Sequence, residues 1–531
     1  MNRWNVLEDL ALYWQGRLLT QVDRDPRSPS FGCGDRNWWH YKIRDFPSII
    51  LQQSGYAAWC LADCIPDSAS REGLKRVGQG SARFWSRHVA RQRSFDEYYP
   101  WEQGYPPAAF SSLAMARLVS EGAVDAEDIR PGLMLALRHL TSRFESQAAN
   151  QQIAGMAALL WIRRLIPHDC DSGAIDRIVE QSLDLQTNEG WFWEYGGPDI
   201  GYLSVTIDCL WDAYDATEDE RFIEAAERAM VFIDEITSAW PTSIGMHNSR
   251  NTDYIVPYGL CRFVDGSRSE TSLRAAALVQ RLFTDCMAPG HFFAAVDDRY
   301  IAHYIGLSVI RGARTLARVE WPEVCAGMQD PPARSPKFFP ESGYLRHPEG
   351  LISLHKGGVL TIRLQNGDTF SDYGWSLRLG KRHFVTHWWS NDWKLREIDE
   401  GWEVTGAWVP CAYIESGPVK HAILRVGAFL FGNKLIGRLK RALIFRPHQS
   451  ALGFRRVIHW DEHEIRIEDE ITGLPAGVEP QRAPRSSCRH VASADSFHRE
   501  DLSLTSSAKF SVHEERRTGK GRFLVQTVVS M

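Results

Sequence analysis

Six apolar segments rich in small residues recur about every 50 residues along the first 320 residues of the chain. They begin near residues 55, 110, 153, 203, 257 and 304, and their apolar side chains follow the three- and four-residue spacing of amphipathic helices. More charged segments, such as SREGLKRVGQGSARFWSRHV, lie between them. We therefore predict about six helical hairpins, with the apolar helices inward, that close into an (α/α) toroid.

The segments that lead into the predicted inner helices hold the most unusual residues of the chain. In a toroid of antiparallel hairpins these loops emerge on one face, where they surround a cleft. They are DRNWWHYKIRDFP, FDEYYPWEQGYPP, ESQAANQQ, EGWFWEYGGPDIGY, GMHNSRNTDYIVPY and AVDDRYIAHY. We predict that the functional site lies in this cleft.

A run rich in proline and polar residues, from about 326 to 343, interrupts the helical pattern. Beyond it, apolar and polar residues alternate, as is typical of antiparallel strands. The segments with this pattern are LISLHKGGVLTIRL, WSLRLGKRHFVTHWW, HAILRVGAFLF and HEIRIEDEI. We predict an α+β multidomain protein, with the toroid over residues 1–330 and an antiparallel β-sandwich over 336–531.

Charge and motifs exclude several classes of function. The formal net charge of −5 provides no basic field for nucleic acid, and no apolar run is long enough for membrane insertion. No nucleotide-binding motif occurs, the ten Cys are scattered singly, and Asp461, Glu462, His463 and Glu464 resemble a solvated turn more than a metal site. We expect no cofactor, although a structural metal ion stays open. The N-terminus lacks a signal-peptide pattern, which predicts a cytoplasmic protein, or a periplasmic or secreted one if a leader was removed.

The order of a helical toroid and a β-sandwich resembles the heparinase II/III-like and alginate-lyase-like polysaccharide lyases. AANQQIAGMAALLW is similar to the family's Asn-His segment, and EGWFWEYGGPDIGYLSVTIDCL to its segment with a catalytic tyrosine. FFPESGYLRHPEGLISLHKGG and HWDEHEIRIEDEITG resemble early and late strands of the sandwich. The resemblance covers most of the chain. It implies a lyase that cleaves a uronic-acid-containing polysaccharide or oligosaccharide by β-elimination, with an anionic glycan as partner.

The same resemblance places Asn150 at the family's asparagine and Tyr202 at its tyrosine. Two positions depart from the pattern. Gln151 stands where the family often has histidine, and Phe370 before Asp372 stands where many members have a histidine two residues before an aspartate. Either another group has taken over proton transfer, or the lyase activity is altered or lost.

β-Elimination needs one group that neutralises the substrate carboxylate and others that accept and donate a proton. Asn150 and Gln151, at a predicted helix start, suit neutralisation, with a helix cap as the alternative for Asn150. Tyr202 follows a glycine-rich turn and is the candidate base or acid. Packing against Trp191 or Trp193 is the other interpretation of this tyrosine.

Two histidines are candidates for the missing proton-transfer group. His247 lies in an unusually polar segment, and histidine titrates in the useful pH range. A solvated loop histidine is the alternative. His303 and Tyr304 enter the last predicted inner helix in the same relative position, and they form the second candidate set.

Candidate substrate-binding residues combine charged or amide groups with aromatic faces in the same loops. For the candidates of the first loop, from Arg36 to Arg44, packing of the N-terminal segment is the alternative. They are Arg36, Trp38, Trp39, His40, Arg44, Tyr98, Tyr99, Trp101, Gln151, Trp193, Glu194, Asn248, Arg250, Asn251 and Tyr254.

Two other functions stay open. A glycoside hydrolase needs two carboxylates about 5–10 Å apart across the cleft. Glu97, Glu102, Glu194 and Asp199 are candidates for this pair. A non-catalytic glycan-binding or polysaccharide-assembly protein is the third hypothesis, because the family's histidines are missing.

Overall fold

The computed structural model describes residues 5–195, 197–237, 250, 252, 254–289, 291–322, 337–339, 342–347, 350–364, 369–387, 393–399, 401–411, 417–432, 450–461, 464–484, 511–519 and 522–530. The helices of the toroid end at Leu316, and the first strand begins at Lys337. The predicted fold class, a helical toroid followed by antiparallel sheets, is confirmed. The domain limits at 1–330 and 336–531 stay a prediction.

The described helices comprise the toroid and one helix in the β-rich part. They are α1 (Val6–Gln21), α2 (Arg36–Trp39), α3 (Gln53–Leu61), α4 (Ser68–Gln92), α5 (Tyr105–Ser120), α6 (Ala126–Thr141), α7 (Ala149–Leu165), α8 (Ser172–Leu183), α9 (Ile200–Thr217), α10 (Arg221–Thr237), α11 (Tyr258–Arg262), α12 (Glu270–Phe283), α13 (Phe292–Ala295), α14 (Asp298–Ile301), α15 (Tyr304–Leu316) and α16 (Pro418–Phe431).

The six predicted inner helices are α3, α5, α7, α9, α11 and α15. Each packs against the next, and α15 packs back against α3, which closes the ring. Small residues allow this close packing. Gly155 of α7 lies against the Tyr105 phenol, and Gly259 of α11 lies against the backbone of Asp208 in α9. A Cβ atom at either glycine would collide with the neighbouring helix.

The outer layer consists of α4, α6, α8, α10 and α12, together with α1. Helix α1 packs against α15 and buries Leu7, Leu10 and Trp14, so the N-terminal helix is the outer partner of the last inner helix. Polar side chains cap several outer helices. Asp67 accepts a hydrogen bond from Ser70 N at the start of α4, and this defines where the helix begins.

Helix α16 corrects one sequence prediction. The alternating pattern of HAILRVGAFLF predicted a strand, but the segment lies inside a 14-residue helix. Pro418 occupies the first turn, where its fixed φ favours a helix. Its largest exposed aliphatic residues, Val419, Ile423, Val426 and Leu430, follow a spacing of four, three and four, which is a helical period.

The strands form antiparallel sheets. They are β1 (Lys337–Phe339), β2 (Ser342–His347), β3 (Gly350–His355), β4 (Val359–Leu364), β5 (Thr369–Asp372), β6 (Trp375–Leu379), β7 (Arg382–Val385), β8 (Lys394–Ile398), β9 (Gly401–Ala407), β10 (Val409–Cys411), β11 (Gly453–Trp460), β12 (Glu464–Thr472), β13 (Gln481–Arg482), β14 (Ser511–Gly519) and β15 (Arg522–Ser530). In the described residues the sheet orders are β1-β2-β3-β4-β5, β10-β7-β6-β13 and β14-β15-β12-β11-β9-β8.

Side chains from all three sheets share one hydrophobic core, which is how the sheets pack face to face. Ile352, Trp375 and Trp402 come from the first, second and third sheets and are fully buried. Along β12, inward and outward residues alternate, as expected for a half-buried strand. This core accounts for the predicted β-sandwich.

Candidate active site

The loops that precede the inner helices are joined to one another by hydrogen bonds around one end of the toroid. Each bond joins residues from neighbouring loops or from the helix starts beside them. The bonds run from Arg44 Nη2 to Glu97 O, Tyr105 OH to Gln152 Oε1, Tyr195 N to Gln147 O, Arg250 N to Asp199 Oδ2, between the hydroxyls of Tyr254 and Tyr304, and from Arg299 Nη2 to Ser48 Oγ. The loops therefore form one continuous ring, as the sequence predicted.

Asn150 and Gln151 lie in the first turn of α7. Ala148 is the N-cap of this helix, so Asn150 does not cap it. The Asn150 backbone N–H donates to Glu194 Oε2 at 3.1 Å, and Gln151 Nε2 donates to the Tyr195 hydroxyl at 3.1 Å. Both amide oxygens are buried and accept no hydrogen bond from the described residues. Since buried polar atoms normally find partners, these oxygens indicate a place for a water or a ligand.

Glu194 is 2% exposed and lies beside the start of α7. Burial raises the pKa of this carboxyl well above its ordinary value, and the nearby Asp199 adds to the rise. The hydrogen bond from Asn150 N–H opposes this shift. A carboxyl in this position favours its protonated form more than a solvated glutamate does.

Asp199 connects the loop before α9 with the following one. It caps α9 by accepting from Tyr202 N at 3.0 Å, and its other oxygen accepts from Arg250 N at 3.1 Å. The Thr252 hydroxyl donates to it at 2.6 Å. Burial raises the pKa of Asp199, while these hydrogen bonds lower it. One carboxyl group therefore positions the backbone of both Tyr202 and Arg250.

Arg250 lies against the loop that holds Glu194. Its guanidinium carbon is 4.2 Å from the centre of the Tyr195 ring, a cation–π contact. Its Nε is buried and donates to no acceptor in the described part of the chain. Because Gln151 also contacts Tyr195, the Gln151 amide and the Arg250 guanidinium group share one neighbour.

Tyr202, Tyr254, Tyr304 and His303 form an aromatic cluster beside these groups. The ring centres of Tyr202 and Tyr254 are 6.4 Å apart, the hydroxyls of Tyr254 and Tyr304 are 2.7 Å apart, and the rings of His303 and Tyr304 are centred 4.3 Å apart. Burial raises the pKa of Tyr254 and lowers that of His303 well below its ordinary value, with Arg299 adding to the latter effect. His303 is therefore neutral at pH 7. Tyr202 is half-buried, whereas the other three are buried.

The second loop presents aromatic residues to solvent. Tyr98 is 63% exposed and Trp101 is 37% exposed, whereas Tyr99 is half-buried. Glu102 holds the loop because its Oε2 accepts from Glu97 N and Tyr98 N, both at 2.8 Å. Burial and the Glu97 charge raise the pKa of Glu102 to about 8. By accepting these two backbone hydrogen bonds, Glu102 stabilises the conformation of the loop.

Residues of the first loop divide into packing and exposed groups. Trp38 packs against Phe84 and His88 of α4, and Trp39 Nε1 donates to Gln21 O at 2.8 Å. These contacts correspond to packing of the N-terminal segment, the alternative interpretation of these residues. Arg44 also has structural contacts, since it donates to Asp35 and to Glu97 O.

Other predicted residues of these loops remain near solvent. His40 is exposed between Trp39 and Tyr41, with ring centres 5.1 and 5.2 Å away, and Arg36 lies 5.0 Å from the centre of the Tyr41 ring. In the fourth loop, Trp193 is half-buried and stacks on the buried Trp191 at 5.7 Å. A role of Arg36, His40 and Trp193 in sugar binding stays a prediction.

Three predicted site residues, His247, Asn248 and Asn251, lie outside the described residues, as do Glu462 and His463. Phe370 is buried in the core of the sheets. The described residues hold no cluster of three His, Cys, Asp or Glu side chains that is suited to a metal ion.

The sequence pattern did not indicate the role of Arg299, and it indicated Asp199 only as a hydrolase carboxylate. Arg299 lies 3.8 Å from Glu97 and donates to Ser48, so it joins the last loop to the first two. The signal for Asp199 is present in the sequence: an aspartate three residues before Tyr202, at a predicted helix start, is a typical N-cap. Arg299, in the four-residue helix α14, has no comparable signal in the sequence.

A cavity of about 460 Å³ lies away from the loop ring, near the carboxyl ends of the inner helices. Its walls include the buried Arg311 and the half-buried Arg117, Arg262 and Arg314. These four arginines are paired with the four carboxylates of Asp63, Glu121, Asp212 and Asp215, so their positive charge is compensated. The loop ring is therefore the better candidate for an active site.

No protein-family model and no curated protein matches the sequence. Among solved structures, heparinase III is similar over 100% of this chain and 85% of its own, at 12% identity and a TM-score of 0.45. A chondroitin AC lyase from Streptomyces coelicolor A3, in complex with chondroitin sulphate, is similar over 99% of this chain and 77% of its own, at 10% identity and a TM-score of 0.45. A glycosidase variant in complex with glucose is similar over 59% of this chain and 96% of its own, at 12% identity and a TM-score of 0.34.

Proposed function

We propose that the protein is a lyase that cleaves a uronic-acid-containing polysaccharide or oligosaccharide by β-elimination. The observation that carries this proposal is the Asp199 carboxyl group, which positions Tyr202 and Arg250 together. Asn150 and Gln151, in the first turn of α7, contact Glu194 and Tyr195 of the same loop as Asp199. The site therefore combines groups suited to a carboxylate with a phenol suited to proton transfer.

Neutralisation of the substrate carboxylate is the first task. Arg250 has a buried Nε that lacks a partner among the described residues, and a guanidinium group binds carboxylates well. The amide oxygens of Asn150 and Gln151 accept hydrogen bonds from sugar hydroxyls, or from the carboxyl group of a protonated uronate. Stabilising negative charge on the carboxylate favours removal of the proton on the adjacent carbon.

Proton transfer is the second task. We assign it to Tyr202, because it is the half-buried member of the tyrosine cluster, whereas Tyr254 and Tyr304 are buried. In the reaction the base takes the proton from C5, the C5–H electron pair forms the C4–C5 double bond, and the C4–O bond breaks. The leaving oxygen then takes a proton from the acid. Tyr202 acts as base, as acid, or as both in turn.

The buried residues behind Tyr202 support its position. Tyr254 packs against Tyr202 and shares a hydrogen bond with Tyr304, while the neutral His303 lies against Tyr304. His247, in a part of the chain that the structure does not describe, keeps its proposed role as the replacement for the family's histidine. Exposed Tyr98 and Trp101 are suited to stack on further sugar units.

A glycoside hydrolase is the second candidate, and Glu194 is the observation that favours it. A hydrolase needs one carboxyl group that stays protonated until it donates to the leaving oxygen. Burial raises the pKa of Glu194 in the direction that this role requires. Its bond to Asn150 N–H, however, points to a structural role in the loop.

The test is incubation of the purified protein with a panel of uronate polymers. A lyase produces a conjugated unsaturated uronate, which absorbs in the ultraviolet, together with new reducing ends. Reducing ends without ultraviolet absorbance favour the hydrolase, and neither signal with any polymer contradicts both enzymatic functions.

Tyr202→Phe separates proton transfer from binding. We expect a large loss of turnover with substrate binding retained, because only the hydroxyl is removed. Tyr214→Phe is the matched control, since Tyr214 lies near the other end of the same helix α9. Full activity of Tyr202→Phe would show that the assignment of this tyrosine is wrong.

A further inference from the structure

Helix α16 exposes an apolar face to solvent. Val419, Ile423, Val426 and Leu430 are 70%, 68%, 60% and 63% exposed. Their spacing places them along one side of the helix. Contiguous exposed apolar surface of this kind is rare in a soluble protein and marks an interaction site.

The opposite side of α16 lies against the loop ring. Both terminal nitrogens of Arg425 donate to the Asp45 carboxylate, at 2.5 and 3.1 Å. Phe429 packs edge-on against Trp101, with ring centres 5.2 Å apart, and Ala428 is buried. Asp45 belongs to the first cleft loop and Trp101 to the second. The exposed apolar face therefore borders the opening of the proposed active site.

Charge distinguishes between the possible partners of this face. Residues 418–446 contain seven Lys or Arg and no Asp or Glu, although the whole chain has a net charge of −5. Lys420 and Arg425 belong to α16, and the other five follow it in a stretch that the structure does not describe. Pairing with a second copy would bring two such basic segments together, which is unfavourable. An anionic bilayer surface matches both properties, because an interfacial helix combines an apolar face with basic residues.

We propose that α16 binds the surface of an anionic lipid bilayer and lies in the plane of the interface. Its 14 residues extend about 21 Å, which is shorter than the hydrocarbon core of a bilayer. No helix in the part of the chain that the structure describes is long and apolar enough to cross a membrane. Binding through α16 places the cleft opening beside the lipid surface, where a membrane-attached glycan is within reach.

The test measures binding of the full-length protein to vesicles of phosphatidylglycerol and phosphatidylcholine, with pure phosphatidylcholine vesicles as the comparison. We expect binding to the anionic vesicles that weakens as salt is added. The double variant Ile423→Glu, Val426→Glu should reduce it at least about tenfold, because it places two charges on the apolar face. Tyr13→Glu is the matched control, since Tyr13 is 59% exposed on the outer helix α1.

Three results would overturn the proposal. The first is failure of the wild-type protein to bind anionic vesicles, and the second is equal binding by the double variant. The third is a wild-type dimer that the double variant converts to monomers in light scattering, which would assign the face to a second copy. Turnover of a soluble oligosaccharide without vesicles should be unchanged in the double variant, so a failure of lipid binding is distinguishable from a failure of the proposed lyase activity.

Discussion

The phenolic oxygens of Tyr254 and Tyr304 lie 2.7 Å apart inside the loop ring, where both side chains are buried. Tyr254→Phe leaves the other hydroxyl without this partner, and we expect a loss of about 1–2 kcal/mol in the free energy of unfolding. The double variant Tyr254→Phe, Tyr304→Phe removes both polar groups, so its cost should be smaller than the sum of the single costs. Urea denaturation of the three variants measures this coupling. Additive costs would contradict it.

Asp199→Ala should affect both stability and catalysis. It removes the cap of α9 and also the buried acceptor of Arg250 N–H and the Thr252 hydroxyl, so it should cost more than the loss of about 1 kcal/mol expected for a cap alone. Because it releases the backbone of Tyr202 and Arg250, we expect kcat/KM to fall about 100-fold. Asp171→Ala removes the cap of the outer helix α8 and is the matched control. Because Asp171 is exposed and accepts only the capping bond, this variant should lose less stability, and it should keep full activity. Equal activity losses in the two variants would show that the effect of Asp199 is only structural.

The pH dependence of stability should include a contribution from Glu102. Its pKa in the folded protein is raised from 4.5 to about 8, chiefly by burial and then by Glu97. The folded state therefore holds a proton that the unfolded state loses as the pH rises above about 4.5. The stabilisation from this protonated form is complete below that pH, and it is lost as the pH rises towards 8.

Glu102→Gln tests this dependence, because the amide keeps an oxygen that accepts from the two backbone N–H groups. We expect the variant to lose less stability than the wild type between pH 5 and pH 8 in urea denaturation. Glu72→Gln changes an exposed carboxylate on α4 and serves as the control. The same pH dependence in wild type and Glu102→Gln would contradict the prediction.

Arg311 and Asp212 form a buried ion pair that joins α15 to α9. The two terminal nitrogens of Arg311 donate to the two carboxylate oxygens at 2.8 and 2.6 Å. Arg311→Met leaves Asp212 buried with less compensation, and we expect a loss of about 3–5 kcal/mol. Arg163→Met breaks the more exposed pair with Asp176 and should cost less than about 1 kcal/mol. Thermal denaturation compares the two, and equal costs would contradict this interpretation.

Much of the helical part could be predicted from local sequence patterns. The six inner helices follow from segments in which nearly every side chain is apolar or small, because such segments are buried on all sides. The partner of α15 could not be predicted in this way. Leu7, Leu10 and Trp14 make α1 amphipathic, but nothing local indicates that it packs against a helix some 300 residues later.

The β-rich part shows where local patterns fail. HAILRVGAFLF fits alternation over a few residues and a helical period over its whole length, so a short window did not distinguish them. Trp38 and Trp39 illustrate a second limit. Aromatic residues in a loop suit both sugar binding and packing, and only their contacts with α4 and Gln21 show that they pack.

The sequence by itself determined the repeat, the inner helices and the set of loops that surround the cleft, because periodicity of apolar residues directly reflects burial. The tertiary structure decided which loop residues meet. Arg250 binds Asp199 across 51 residues, and Tyr254 binds Tyr304 across 50. Ring closure sets these pairs, since it places positions one repeat apart side by side, but the direction of each side chain depends on its packing. That direction decides whether Tyr202, Arg250 and the amides of α7 act together, as we propose.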